Sequence, residues 1–560
     1  MTKQNSQVHN HLWRGFIPRF NVWSIGAVLI AVVVLAPILS VMWIALSPTE
    51  NIWPHLMQSV LPRYVGNTLI LMVGVAVLTA IFGTASAWLV AMYRFPGQRW
   101  LDSALLFPLA IPAFVGAYAL VDFLDYAGPL QTSLRAMLGW RDARDYWFPE
   151  VRAHGPAIIV LASALYPYVY LLARAAFREQ SGCSYEVARA LGAGPWALFW
   201  RVGLPLARPA IATGVALAMM ETVADYGTVQ HFGVQTLTTG VFSTWLSGNN
   251  AGGAAQIAGV MLMLILLLLA LERISRRNAR FYRLSKSTRP IAPMTLRGWR
   301  GGLAAAFCGV PFCLGFGLPV AVMFSHAVGR PDVWMAPGLL AAFTNTLLVG
   351  GIAAVLTVVA GIFLVYGTRM IGRDLARMVL PLTAIGYAAP GAVLALGLLI
   401  PLAALDHRVA DVIEWSTGHD PGLIMTGTAA AIVLAYFVRF FGIAQGAMDA
   451  AFGRVSPSLP MAARSLGRTA GGTLRDVYLP LMKGSVATAL LVVFVDCVKE
   501  LPATLLLRPF NFNTLSTRVF ELASLEKLGE AAPAALLVMA VGLAAVALLA
   551  RANRDAGPVE

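Results

Sequence analysis

Long uninterrupted apolar runs separated by short polar, basic segments organise this chain from one end to the other. Crossing a bilayer as a helix takes about 20 apolar residues. Twelve such runs can be placed, with centres near 34, 78, 112, 166, 216, 262, 313, 355, 391, 433, 492 and 541. The first, Val22 to Leu46, is longer than the roughly 7 to 15 apolar residues of a signal-peptide core, so it reads as a retained span. The run 101–124 holds Pro108 and Pro112, and the run 379–403 holds Pro381, Pro390 and Pro401. These are expected to kink helices that line a cavity rather than to end them. The fold class is therefore an all-α integral membrane protein of about twelve transmembrane helices.

Composition agrees. The 560 residues are 58% hydrophobic and 12% charged, against about 25% charged in soluble domains. The net charge of +14 would point to nucleic acid in a soluble protein. Here the basic residues lie between apolar runs, so membrane and its lipids are the expected neighbours and nucleic acid is not. With a cytoplasmic N-terminus and twelve crossings, both termini are cytoplasmic. The inner segments then hold roughly 30 of the basic residues, as the positive-inside rule asks. The most basic of them, "RISRRNARFYRLSKSTRP" (273–290), reads as a tether between halves that also sets topology. Trp13, Trp23, Trp43 and Trp53 flank the first span and suit an interfacial aromatic belt.

The chain repeats itself. "GNTLILMVGVAVLTAIFG" (66–83) matches "TNTLLVGGIAAVLTVVAG" (344–361), and "FGVQTLTTGVF" (232–242) matches "FNFNTLSTRVF" (510–520), both at an offset of 278. Between these blocks the offset is 275, as "ARALG" (188–192) and "ARSLG" (463–467) show. Each copy carries six spans, an even number, so the copies are parallel repeats with a pathway expected between them. The domains are 1–285 (core about 60–270) and 286–560 (core about 340–550).

Before the fifth span of each copy lies a short amphipathic segment: "YEVARALGAGPWALFWRVGLPLARPAI" (185–211) and "LPMAARSLGRTAGGTLRDVYLPLMKGS" (459–485). Gly192 and Gly467 should end these helices in the left-handed C-terminal position, and Pro205 and Pro480 should open the next span. The pattern resembles the E-A-A-x(3)-G-x(9)-I-x-L-P loop of ABC importer permeases. In that family the short helix docks on a cytoplasmic ATPase and carries its motion to the spans. The matching positions are Glu186, Ala188, Gly192, Leu204 and Pro205 in the first copy, and Met461, Ala462, Ala463, Gly467, Leu479 and Pro480 in the second. Val187 replaces the first alanine, and Met461 stands where the family has its acidic residue, so the two loops are not expected to grip alike.

None of the five lysines follows a glycine, which excludes the G-K-[ST] end of a P-loop. No histidine precedes a glutamate, so no H-E-x-x-H zinc site exists. No catalytic residues, metal site or cofactor are expected, and the four cysteines read as free packing residues. Energy for transport must come from another subunit.

The chemistry-bearing residues gather at the outer end of each fifth span. Glu221 and Asp225 align with Asp496 and Glu500, carboxylates at i and i+4 on one helical face. Gly227 and Pro502 follow and should break the helix. Lys499 has Ala224 opposite it and can pair with Asp496. "ADYGTV" and "ELPATLLLRPF" resemble the fused two-domain permeases of ferric-iron importers, over about 60 to 550. Membership implies a periplasmic substrate-binding protein, a cytoplasmic ABC ATPase dimer and an inner-membrane location. Fused permeases for thiamine or phosphonate-type substrates are similar overall, and a proton-coupled secondary transporter could share twelve spans. Two carboxylate pairs suit a hard cation, and equally suit a role in fixing helix ends. His231 and the outer segments "DARDYWFPE" (142–150) and "DHRVADVIEWSTGHD" (406–420) are further candidates for ligand or partner contact.

Overall fold

A computed structural model describes residues 22–48, 50–277, 293–371 and 373–555. Trp13, the basic N-terminus and most of the 273–290 tether lie outside them. In chain order the helices of the first copy are α1 (Val22–Leu46), α2 (Leu61–Met92), α3 (Gln98–Ala104), α4 (Ala113–Leu124), α5 (His154–Glu179), α6 (Gly182–Ala190), α7 (Leu204–Ala224), α8 (Gly227–His231), α9 (Leu237–Phe242) and α10 (Ala251–Arg277). The second copy has α11 (Trp299–Phe312), α12 (Leu318–Val328), α13 (Leu339–Ile371), α14 (Arg373–Thr383), α15 (Gly391–Thr417), α16 (Ala429–Arg454), α17 (Ser458–Ser465), α18 (Leu479–Val498), α19 (Pro502–Leu507), α20 (Leu515–Ser524) and α21 (Leu528–Asp555). Among the described residues, eleven helices are long and apolar enough to cross a membrane, or twelve if the bent pair Gln98–Ala110 and Ala113–Leu138 is one span.

That pair bends by 96°, so the expected kink at Pro112 is a break. Pro112 and Pro390 are the N-caps of α4 and α15. A proline excludes the residue before it from helical geometry, and Ile111 and Ala389 are extended. The expected 379–403 span is accordingly split. Its membrane-length helix begins at Gly391 and runs to Thr417, so 406–417 is helix rather than loop. Asp406 is buried there, accepting from the Ile424, Met425 and Thr426 amides. Pro381 and Pro401 sit inside helices, as expected.

The fifth spans also start earlier than expected. Helix begins at Pro195 and Ala470 and passes through π turns, Phe199–Gly203 and Leu474–Tyr478, before Pro205 and Pro480. A proline nitrogen cannot donate to the carbonyl four residues back, and a widened turn absorbs that loss.

Packing is reciprocal. α1 lies against α13 and α15 of the second copy, and α12 lies against α4 of the first. One core cluster joins Ala27, Val34 and Ile38 to Leu364, Leu394 and Phe441; another joins Phe114 and Tyr118 to Val322 and Met323. Trp23 belongs to this joint, stacked on Phe363 at 4.7 Å. A two-residue parallel bridge of β1 (Tyr93–Arg94) with β2 (Met294–Thr295) ties the chain entering the second copy to the first.

The duplicated "NT" has a visible purpose. Asn67 and Asn345 donate to the carbonyls of Gln235 and Asn513. Thr68 and Thr346 accept from the Leu237 and Leu515 amides. Capping boxes at Thr236/Thr239 and Thr514/Thr517 start α9 and α20. Thr238 and Ser516 then bond the carbonyls of Val223 and Val498, at the ends of the acid-bearing helices. The repeat motifs therefore fix where α7 and α18 stop.

Candidate functional site

Between the copies lies a cavity of about 100 Å³, enough for a few waters or an ion, lined by Glu221, Asp225, Asp496 and Glu500. The acids do not form two i, i+4 helical pairs. Glu221 and Asp496 sit inside α7 and α18, whereas Asp225 and Glu500 lie beyond the helix ends. There they act as caps. Asp225 accepts from the Thr228 amide (3.0 Å), the Val229 amide (3.2 Å) and the Thr228 hydroxyl (3.0 Å). Glu500 accepts from the Ala503 amide at 3.1 Å. Carboxylates at helix N-termini satisfy orphan amides and complement the dipole. Gly227 is held tight here: a Cβ would come within 2.7 Å of Phe114 and 2.9 Å of Leu501.

Two cations share the cavity. Lys499 pairs with Asp496 at 2.7 Å. Arg439, an arginine within the apolar run of α16, is 7% exposed. Its Nε lies 3.2 Å from Glu500 and its Nη2 4.0 Å from Glu221. Neither Arg439 nor Tyr168, which also lines the cavity, was among the candidates from sequence. The available signal for Arg439 was an ionisable residue in the middle of an apolar span, a functional candidate by default.

The two amphipathic segments form α6 and α17. Each ends in a glycine at positive φ, +84° at Gly192 and +83° at Gly467. The bonds are those of a Schellman end: Gly192 N to Arg189 O and Ala193 N to Ala188 O, with Gly467 N to Arg464 O and Arg468 N to Ala463 O repeating them. Leu191 and Leu466, at the tips, are 83% and 84% exposed. Glu186, Met461, Ala462 and Ala463 are exposed or half-exposed. Leu204, Pro205, Leu479 and Pro480 stand in the first turn after the π turns.

The remaining candidates do not join this site. His231 packs edge-on against Tyr118 at 4.4 Å, and burial pushes its imidazole down to about 4, so it is neutral at physiological pH. In the 142–150 segment Tyr146 stacks on Trp140 at 4.6 Å, while Asp145 accepts from the Arg141 and Asp142 amides, which holds its carboxyl below the usual range. The four cysteines are free.

Residues 80–280 match the family model of the binding-protein-dependent transport system inner membrane component. The chain is 27% identical over 477 residues to the Fe(3+)-transport system permease protein FbpB 2 of Haemophilus influenzae, covering 84% of this chain and 86% of that one. It is 31% identical over 210 residues to the molybdenum transport system permease protein ModB of Escherichia coli K12, covering 35% of this chain and 87% of ModB. A probable sulfate transport system permease protein cysT of Marchantia polymorpha is 26% identical over 181 residues, 32% of this chain and 60% of that one.

The chain belongs to the family of binding-protein-dependent transport inner-membrane components.

The family match runs from the end of α2 through α10, so α6, Glu221 and Asp225 all fall within it. The single-copy likeness to ModB fits a chain built from two units. The likeness to FbpB 2 extends over both. A transport component of this family is a membrane permease and not itself an enzyme.

Proposed function

We propose that this permease imports ferric iron across the inner membrane through the cavity between two six-span domains, 1–285 and 286–560. A periplasmic binding protein delivers the ion from outside. Hydrolysis on a separate cytoplasmic ATPase dimer, docked on α6 and α17, drives the copies to rock about the cavity. Both termini are cytoplasmic. Glu186, Ala188 and Gly192 with Leu204 and Pro205, and Met461, Ala462, Ala463 and Gly467 with Leu479 and Pro480, form the coupling loops. Glu221, Asp225, Asp496 and Glu500 line the path.

One observation carries the reading: a carboxylate pair from each copy converges on one buried cavity. Oxygen ligands of this kind suit a hard trivalent cation. The exposed leucines at the tips of α6 and α17 support docking, since exposed apolar patches rimmed by polar groups mark interaction sites. Arg439 and Lys499 favour a second reading, an oxyanion substrate such as those named for ModB and cysT, but the four acids outnumber the two cations.

Uptake measurements in cells that express the chain separate these readings. Radiolabelled ferric ion should accumulate and be lost when the ATPase is removed. Accumulation of molybdate, sulfate, thiamine or a phosphonate instead would overturn the substrate, and uptake that survives ATPase loss but collapses with the proton gradient would overturn the class.

A further inference from the structure

The cavity is lopsided in a way the duplication makes measurable. At the repeat offsets, the counterparts of Arg439, Lys499 and Gly391 are Ala164, Ala224 and Ala113. All three alanines line the cavity on the first-copy side. Where the first copy has methyl groups, the second therefore has a guanidinium and an ammonium. The glycine makes room for the first of these. A Cβ on Gly391 would lie 2.3 Å from Arg439 Nη1 and 2.4 Å from Glu500 Oε1.

Arg439 holds its acids unequally. Within its own copy it makes a hydrogen-bond-length contact with Glu500, 3.2 Å. Across the boundary it reaches Glu221 only at 4.0 Å, beyond hydrogen-bonding distance. Its Nη1 has no hydrogen-bond partner among the described residues. A buried guanidinium stays charged, and Glu500, its side chain 4% exposed, is strongly disfavoured without that counter-ion, whereas the Glu221 side chain is 30% exposed. The contact to Glu500 travels with the second copy. The contact to Glu221 weakens as soon as the copies part.

We propose that Arg439 is a tethered counter-cation for the pathway acids, occupying the place of the substrate cation while the copies are together and ceding Glu221 to it when they separate. The inference rests on the pathway reading of the four acids. On separation, Glu221 loses its arginine and becomes a ligand for the incoming ion. On closure, Arg439 returns to Glu221 and competes the ion off, which lets a site rich in hard oxygen donors release a trivalent cation. Arg439 sets how tightly the pathway holds its cargo rather than touching it.

Binding and transport together test this. The full chain in detergent is dialysed against ferric nitrilotriacetate. Arg439→Gln should retain about tenfold more iron than the wild type, since the acids lose a fixed competitor. Adding Glu221→Gln should abolish that gain. Arg439→Lys, a point charge that cannot span both acids, should fall between, and it carries the test if Arg439→Gln does not fold. Wild-type retention in both arginine variants, or a gain that survives Glu221→Gln, overturns the inference. The underlying reading fails separately: in that case Glu221→Gln and Asp496→Asn leave ferric uptake by cells unchanged.

Discussion

α6 and α17 are the same motif set on different foundations. Both end in a left-handed glycine and both expose a leucine at the tip. In α6, Tyr185 is 2% exposed and plugs the helix into the body of the first copy. Its hydroxyl bonds Gln180, and its ring joins a cluster in which Trp88 meets Phe177 and Phe199, each at 5.2 Å. α17 buries none of its residues. Pro460 stands where Tyr185 does, and Tyr366 where Trp88 does. A cavity of about 790 Å³ opens there, lined by Tyr366, Arg369, Pro460, Met461, Arg464 and Tyr478 among others. The signature thus specifies the exposed face of each helix, while Tyr185, outside it, packs α6 alone into the body of its copy. A firm mount passes displacement directly to the spans; a loose one absorbs part of it.

The largest effect should come from breaking the feature the helices share. Gly192→Asp places a side chain at φ +84°, at a cost of about 1 to 2 kcal/mol per left-handed residue. It also adds a negative charge beside the exposed tip. On the proposed coupling role, ATP-driven uptake should fall by an order of magnitude or more with the chain still inserted, and Gly467→Asp should do less because its helix buries none of its residues. Equal, normal uptake by both would remove the coupling role. Tyr185→Ala should next turn α6 into a second α17, costing about 3 kcal/mol from the cavity left behind. A lower melting temperature and fewer ions moved per ATP would report it, whereas Pro460→Tyr should raise that ratio.

Gly391→Ala sharpens the same asymmetry in the pathway. It brings the first copy's alanine to a place filled by Arg439 and Glu500. Overpacking should cost about 2 kcal/mol, and Ala113→Gly should cost less, as thermal unfolding of the two variants can check. The smallest effect belongs to Met461→Glu, which restores the acidic residue to an exposed position. A new surface ion pair is worth about 0 to 1 kcal/mol, so ATPase affinity should rise a fewfold at most and lose that gain at high salt.

Much of this was legible in the residues. The apolar runs located the spans, because lipid demands backbone that satisfies itself. Asn67–Thr68 and Asn345–Thr346 announced the repeat. The A-R-x-L-G segments located α6 and α17 and their glycine ends. The reciprocal crossing of α1 and α12 was not legible, because an apolar face looks the same whether it meets lipid or another helix. The i, i+4 spacing of Glu221 and Asp225 misled for a local reason: α7 ends at Ala224, and Asp225 serves the helix that follows. Arg439 stood out as a charge in an apolar run, but what it pairs with was not legible. Its partners Glu221 and Glu500 come from distant segments that only the fold brings together. The ion pairs of Arg174 and Asp449 show the same limit. Arg174 and Asp449 are counterparts at the offset of 275, yet Arg174 bonds Asp102 of α3 whereas Asp449 bonds Arg369 of α13, whose own counterpart is Ala91. Residue-by-residue alignment does not reveal which element supplies each partner.

The account stands or falls on whether the shared acids carry the substrate. The decisive measurement is uptake of radiolabelled ferric ion into vesicles holding the full chain with its ATPase, supplied with loaded binding protein and ATP, for the wild type and for Glu221→Gln with Asp496→Asn. The wild type should accumulate iron only with ATP. The double variant, its ATPase still bound, should accumulate about tenfold less or lower, as expected when buried charge partners are removed. Accumulation by the double variant at the wild-type rate would contradict the account.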